Sequence, residues 1–284
     1  MKDKWVSLML TSICNSNCKH CYINFSGYIP YAQAVLMKES LSKIYNVEVN
    51  GAEILTNKEY IKLFTDCGRD SLMTNGKALI ENEDLLSYLK ENGVDTISLS
   101  YHYGVHDDLC QVKTTQLDGL IEKIKDNFRV NIMVTLNSDN YFLLDEMCLF
   151  FVKKGVHSIM FTNYLCQGKK CYPEKVLSKE QIQWVLDKIH YLRTQYSKEQ
   201  LTIKRSGCFG RDVKRNGKFD CSAGIDDFVI TPDMKVYPCI FLCDERFLMG
   251  KYANGKIIFV KNAEISHSQS ECLALKKLNN IDLE

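Results

Sequence analysis

The sequence predicts an α/β protein built on parallel strands. Two observations predict it. From residue 5 to about residue 165, short β-type runs alternate six times with stretches whose apolar residues recur every three or four positions. Two of those stretches end at Gly93 and Gly155, where a helix needs a residue that tolerates positive φ before the next strand begins. A third observation bounds the unit: past residue 200 the helical period gives way to glycine, cysteine and short β-like pieces. The predicted division is 1–200 for the βα units and 201–284 for a smaller C-terminal unit.

In chain order the strands are WVSLML (5–10), NVEVN (46–50), DSLMT (70–74), DTISLSY (95–101), VNIMVTL (130–136) and HSIMFTN (157–163). The stretches NKEYIKLFTDC, NEDLLSYLKENG, LDGLIEKIKDN and YFLLDEMCLFFVKKG read as the intervening helices. Pro173 closes the segment after the sixth strand, and a further helix is expected over 179–197. In the C-terminal unit, DDFVITPDMKVYPC reads as a hairpin turning at Pro232 and Asp233.

Composition narrows the function classes. Lys plus Arg number 36 against 35 Asp plus Glu, so no general field recruits nucleic acid or an anionic membrane. No 18-residue apolar run and no basic-then-apolar start occur, so neither a membrane span nor a secretory signal is expected and the protein reads as cytoplasmic. Thirteen cysteines, an odd number without a secretion signal, argue against a disulfide scaffold and for reduced thiols that bind metal.

Three of them, Cys14, Cys18 and Cys21, fall within TSICNSNCKHCYINF, directly after the first strand. In a parallel βα arrangement the loops leaving the strands' C-terminal ends open on one mouth, where functional groups collect. Three thiolates on such a loop suit zinc or an iron-sulfur cluster. No cysteine follows between residues 22 and 66, and the local histidine, His20, is wedged beside Cys21. An incomplete shell suits a metal that must bind something else.

The pattern Cys14-x3-Cys18-x2-Cys21 resembles the signature of the radical S-adenosylmethionine enzymes. That resemblance implies a partial (β/α)6 barrel. It also implies a 4Fe-4S cluster on the three cysteines, whose open iron takes the amino and carboxylate groups of S-adenosylmethionine. Reduction would cleave the sulfonium and release a 5′-deoxyadenosyl radical. Gly51-Ala52-Glu53 is similar to the family's Gly-Gly-Glu segment, with one glycine replaced, and Thr74-Asn75-Gly76 resembles its TNG. Ser98 and Ser100, with His106-Asp107 beyond, are similar to a region contacting ribose and substrate, and Asn137 falls where a polar cofactor contact is expected. His20 stands where the family usually has an aromatic or hydrophobic residue, and Tyr22 is the substitute for stacking on adenine.

The segment from Cys221 to Cys239 resembles the start of the SPASM module or its shortened twitch form. This implies one auxiliary iron-sulfur cluster, of 4Fe-4S type, on Cys208, Cys221, Cys239 and Cys272; the further cysteines of a full SPASM module are missing. Cys243 is a further ligand, a hydrogen-atom donor as in peptide epimerases of the superfamily, or a packed thiol. Cys67, Cys110 and Cys148 lie in or near helical apolar patterns and read as packing, whereas Cys166 and Cys171 follow the sixth strand at the mouth. His102, Tyr103 and His106 would sit at the same mouth, where they could position substrate or move protons.

The expected activity is hydrogen-atom abstraction from a ribosomally made precursor peptide, leading to oxidation, crosslinking or epimerisation, with flavodoxin or ferredoxin as electron donor. No leader-binding domain is expected in the 13 residues before Cys14. The alternatives are a small-molecule dehydrogenase or isomerase acting on a sugar or aminocyclitol, and a non-catalytic electron carrier or zinc-binding module.

Overall fold

The computed structural model of the chain describes residues 3–64, 71–167, 171–209, 221–260 and 272–279. Its first half follows the predicted alternation. Strand β1 (Trp5–Met9) leads to helix α1 (Tyr31–Leu41) and β2 (Asn46–Asn50). After β3 (Leu72–Thr74) come α2 (Lys77–Glu81), α3 (Asp84–Glu91), β4 (Thr96–Ser100), α4 (His106–Leu109), α5 (Thr114–Ile124) and β5 (Arg129–Leu136). The series continues with α6 (Leu144–Lys153), β6 (Ser158–Asn163), α7 (Lys179–Gln195) and β7 (Thr202–Arg205). The last part holds β8 (Asp227–Ile230), β9 (Lys235–Tyr237), β10 (Gly250–Ala253), β11 (Lys256–Phe259) and α8 (Leu273–Asn279).

All six predicted strands are present to within two residues; Asp70 of the third lies outside the described residues. Gly93 and Gly155 have φ of 75° and 73°, the left-handed ends that let α3 and α6 turn into the following strands. Ser178 and Gln181 form a capping box at the start of α7, which stops at Gln195, within the predicted span.

Three elements differ from expectation. The stretch predicted as a helix from Asn57 is a short 3-10 helix, Lys58–Leu63, preceded by another, Ile54–Thr56, because Asn57 between them is extended and its side chain caps a new turn at Glu59; residues 65–67 of the stretch lie outside the described residues. Helix α1 was not foreseen: its apolar residues surround the axis, with Met37 buried and Leu36 63% exposed, so no stripe marks it. Strand β7 adds a seventh parallel strand, pairing with β6 from Ser158↔Thr202 to Phe161↔Arg205 across the expected boundary at residue 200.

The strands lie in the orders β3-β4-β5-β6-β7, all parallel, and β11-β10-β9-β8-β1-β2. In the second sheet β8 pairs in parallel with β1, from Trp5↔Asp227 to Leu8↔Ile230, so the C-terminal hairpins continue the first strand's sheet. The predicted β8–β9 hairpin is present, with Met234 at φ 64° and its N–H donated to Thr231 O at 2.9 Å.

Strand alternation separates core from cavity. Along β5, Val130, Ile132, Val134 and Leu136 are fully buried in one cluster with Leu117 and Ile121 of α5 and Met147 and Phe151 of α6. Each such side chain contributes about 1.5–3 kcal/mol relative to exposure. The alternate residues Asn131 and Met133 face inward with Asn50, Met73, Ser98 and Met160, lining a cavity of about 550 Å³. A parallel sheet with an apolar outer face and a polar inner face is a partial barrel around a hollow.

Candidate active site

The cysteine triplet lies on an excursion whose base is clamped. Thr11 bridges Tyr28, Ser12 N–H donates to Gly27 O at 2.9 Å, and Ile29 N–H donates to Leu10 O at 2.8 Å. Residues 13–26 therefore leave the end of β1 and return beside it, carrying Cys14 and Cys21 exposed and Cys18 half-buried. The three thiols are electrostatic neighbours: Cys18 and Cys21 both act on Cys14.

The loops after β2 and β3 support this one. Glu53, completely buried, accepts from Leu55 N (3.3 Å), Thr74 Oγ1 (3.0 Å) and Asn75 N (2.9 Å). Strands β2 and β3 end different sheets, so this carboxylate joins at the mouth what no backbone ladder joins. Burial pushes its pKa up, against the three hydrogen bonds. Asn75 Nδ2 in turn donates to Asn15 Oδ1 at 2.9 Å and to Cys14 Sγ at 3.7 Å, and Lys77 Nζ donates to Asn15 O at 3.2 Å. Gly51 is required by close approach: a Cβ there would stand 2.9 Å from Thr11 Cγ2. Ala52 donates its N–H to Thr11 O at 2.8 Å.

The remaining predicted contacts are distributed at different depths. Ser98 is buried on the inner cavity, within 3.0 Å of Ser71 Oγ and 3.4 Å of Asn131 Nδ2, and Ser100 lies two residues nearer the mouth, paired with Met133. Asn137 is buried, and its Oδ1 accepts from Asp139 N at 2.8 Å. Tyr22 packs its ring 4.8 Å from Phe241, toward the C-terminal cysteines, and burial raises its hydroxyl to about 12. His20 stands edge-on to His102 with centroids 4.3 Å apart.

Four C-terminal cysteines converge. Cys208 and Cys272, both buried, are hydrogen-bonded to each other; Cys239 is an electrostatic neighbour of Cys208, Cys221 and Cys272. A Cβ on Gly207 would stand 3.2 Å from Cys221 Sγ. The Cys272 thiol is held below its usual range by the bond from Cys208 and by the N–H groups of Leu275 and Ala274 at the start of α8. Cys243 is buried beside Met9, Val229 and Tyr237, with its Sγ donated to Cys239 O at 3.6 Å and its pKa pushed by burial to about 12.

Other cysteines depart from the sequence reading. Cys166 and Cys171 form a disulfide, with Cα atoms 4.7 Å apart; the expectation of reduced thiols fails for this pair. Cys148 is buried packing as expected, and Cys67 lies outside the described residues. Cys110, expected to be packing, lies beside Cys18, and that neighbour together with burial raises its pKa. Tyr103 packs against Phe150 and Phe151. His102 and His106 are buried and neutral, burial lowering His106 to about 4 and His102 well below its ordinary value. Nothing local in the sequence marks the Cys110–Cys18 contact, which joins residues ninety-two apart.

Parallel βα units around a hollow, with three thiols on the loop after the first strand, define the class of site: a partial barrel with a sulfur-rich mouth. Solved structures share this fold. Streptococcus suis SuiB bound to precursor peptide SuiA matches with a TM-score of 0.69 at 13% identity, over 84% of this chain and 59% of that one. SuiB bound to S-adenosylmethionine matches at 0.66 and 15%, over 86% and 60%. The structure of anSMEcpe with bound AdoMet and Cp18Cys peptide matches at 0.64 and 18%, over 87% and 76%. The likeness is one of fold, and the chain spans about three-fifths of the length of SuiB. No protein-family model and no curated protein matches the sequence. No helix among the described residues is long and apolar enough to cross a membrane.

Proposed function

We propose that this chain is a radical S-adenosylmethionine enzyme that modifies a peptide. The observation that carries the reading is the placement of Cys14, Cys18 and Cys21 together on the loop leaving β1, at the mouth of a barrel that has the fold of S-adenosylmethionine-bound and peptide-bound proteins. Three neighbouring thiols with no fourth cysteine on their own loop fit a 4Fe-4S cluster with an open iron. Such a cluster, with the cofactor, supplies reductive cleavage of S-adenosylmethionine and hydrogen-atom abstraction.

The chain's own residues prepare that site. Asn75 donates to Cys14 Sγ and ties the cysteine loop to the turn after β3, while Glu53 fixes that turn from below. Gly51, Ala52, Glu53, Ser98, Ser100 and Asn137 are the proposed cofactor contacts, with Tyr22 packed on Phe241 of the C-terminal part. Residues 201–284 form the proposed auxiliary-cluster unit, and the convergence of Cys208, Cys221, Cys239 and Cys272 supports four thiolates around one cluster. Cys243, a reduced thiol next to that group, is the candidate hydrogen donor. A precursor peptide is the proposed substrate, on the strength of the peptide complexes of SuiB and anSMEcpe, and a flavodoxin or ferredoxin the proposed electron donor.

The test is anaerobic reconstitution with iron and sulfide, reduction, and chromatography for 5′-deoxyadenosine. The enzyme releases it from S-adenosylmethionine, and replacing any front cysteine by alanine abolishes release. A protein that binds iron yet releases none is an electron carrier, and the reading fails.

A further inference from the structure

The loop that leaves β6 carries a disulfide that the proposed activity does not use, and the same loop holds the C-terminal cysteines from two sides. Asn163, buried at the end of β6, donates its Nδ2–H to Cys208 O at 3.1 Å. One further side chain ties the loop to the end of α8: Asn279 Oδ1 accepts the Cys166 N–H at 2.8 Å, and Asn279 Nδ2 donates to Tyr164 O at 2.9 Å. A single amide thus pins the backbone on both sides of Leu165, using its acceptor and its donor at once. Cys272 stands at the other end of α8, where its carbonyl accepts the Lys276 N–H at 3.1 Å. It is 4% exposed and belongs to the core cluster that holds Leu165, Cys208, Ala274 and Leu275.

The disulfide lies inside this bracket. Tyr164 is pinned twice, its carbonyl by Asn279 and its hydroxyl by the Tyr172 N–H at 3.0 Å. Between those points Cys166 and Cys171 join the outgoing and returning arms of the loop, with Cα atoms 4.7 Å apart. Cys171 is exposed and Cys166 half-buried, so an incoming thiolate reaches the Cys171 sulfur and Cys166 is the thiol that departs.

We infer that the Cys166–Cys171 disulfide is a redox latch on α8: closed, it holds the backbone that Asn279 grips, and its reduction by a dithiol loosens α8 and uncovers Cys272. The first thiolate of the reductant bonds to the Cys171 sulfur and expels Cys166, which takes up a proton. The second thiol of the reductant loses its proton and displaces Cys171, which is protonated in turn. Two electrons have then passed to the pair: the reductant is a disulfide and the chain holds two thiols. Opening the cross-link restores conformational freedom to the loop, so the latch acts through backbone order and not through contact with Cys272. The inference goes beyond the proposed activity and needs no cluster.

The experiment is timed alkylation of the full, iron-free chain, isolated without reductant, with each cysteine read by peptide mass spectrometry. The chain is compared before treatment and after dithiothreitol has been added and removed under anaerobic conditions. Before reduction Cys166 and Cys171 are linked and Cys272 reacts slowly. After reduction Cys272 is expected to react about tenfold faster, while Cys148, buried on α6, keeps its rate. The double variant Cys166→Ser, Cys171→Ser gives the fast Cys272 rate with or without the dithiol. Asn279→Ala keeps the disulfide and gives the fast rate in both states, which assigns the coupling to that side chain. A wild-type Cys272 rate that ignores the dithiol overturns the inference. So does a Cys166–Cys171 pair that alkylates fully before reduction, or a disulfide that takes in Cys272 instead. Equal acceleration of Cys148 is general unfolding and overturns it as well.

Discussion

Replacing Glu53 by alanine tests how the mouth is held together. The carboxylate is completely buried and receives three hydrogen bonds, two from backbone amides and one from the buried Thr74 hydroxyl. A hydrogen bond to a charged group is worth about 1.5–3 kcal/mol, but burying the charge offsets part of the sum. Removing one side of such a buried network costs about 3–5 kcal/mol. With a urea slope of about 3 kcal/mol per M, the midpoint falls by about 1 M or more. Glu53→Gln can still serve Thr74 and Asn75 with its carbonyl but turns an amide N–H toward Leu55, so its loss is smaller, about 1–3 kcal/mol. The pH dependence has a definite sign. Burial raises the folded pKa of Glu53, so the folded chain holds that proton more tightly than the unfolded one. Its contribution is fully present below the unfolded value and is lost as pH rises through the folded one; Glu53→Gln removes that decline. The assay is urea unfolding of the cluster-free protein followed by circular dichroism, from about pH 4 upward. An alanine variant within about 1 kcal/mol of wild type, or a glutamine variant weaker than alanine, refutes the reasoning.

Three further outcomes are expected. Gly76→Ala forces a side chain onto φ 83° with its Cβ 3.0 Å from Leu117 Cδ2, and costs about 1–3 kcal/mol in the same unfolding assay. Cys239→Ser lowers bound iron from about eight to about four per chain while leaving the response of the front cluster to S-adenosylmethionine intact, as read by iron assay and resonance spectra. Gly51→Ala pushes Thr11 at the base of the cysteine loop, where a Cβ stands 2.9 Å from its Cγ2, and is expected to reduce iron loading at the front site before it reduces overall stability.

Much of the barrel was legible because each strand is a β-rich run bounded by helical spacing, and because Gly93 and Gly155 mark where helices stop. Helix α1 escaped for want of a polar face, and β7, with Lys204 and Arg205 among its four residues, carries too little apolar pattern to stand out. The pairing of β8 with β1 is decided more than two hundred residues apart, so no local period announces it. The site divides in the same way. Three cysteines in one short loop are visible as a pattern, and the C-terminal hairpin points to its flanking cysteines. The bridge by Glu53, the Cys166–Cys171 disulfide and the approach of Cys110 to Cys18 arise only when the chain is folded.

The most direct measurement is the electron paramagnetic resonance spectrum of the anaerobically reconstituted and reduced protein, with and without S-adenosylmethionine. A cluster on Cys14, Cys18 and Cys21 with an open iron gives a signal that shifts on adding the cofactor, and replacing any one of the three by alanine removes it. A spectrum indifferent to the cofactor, or a shift that survives loss of those thiols, contradicts the account.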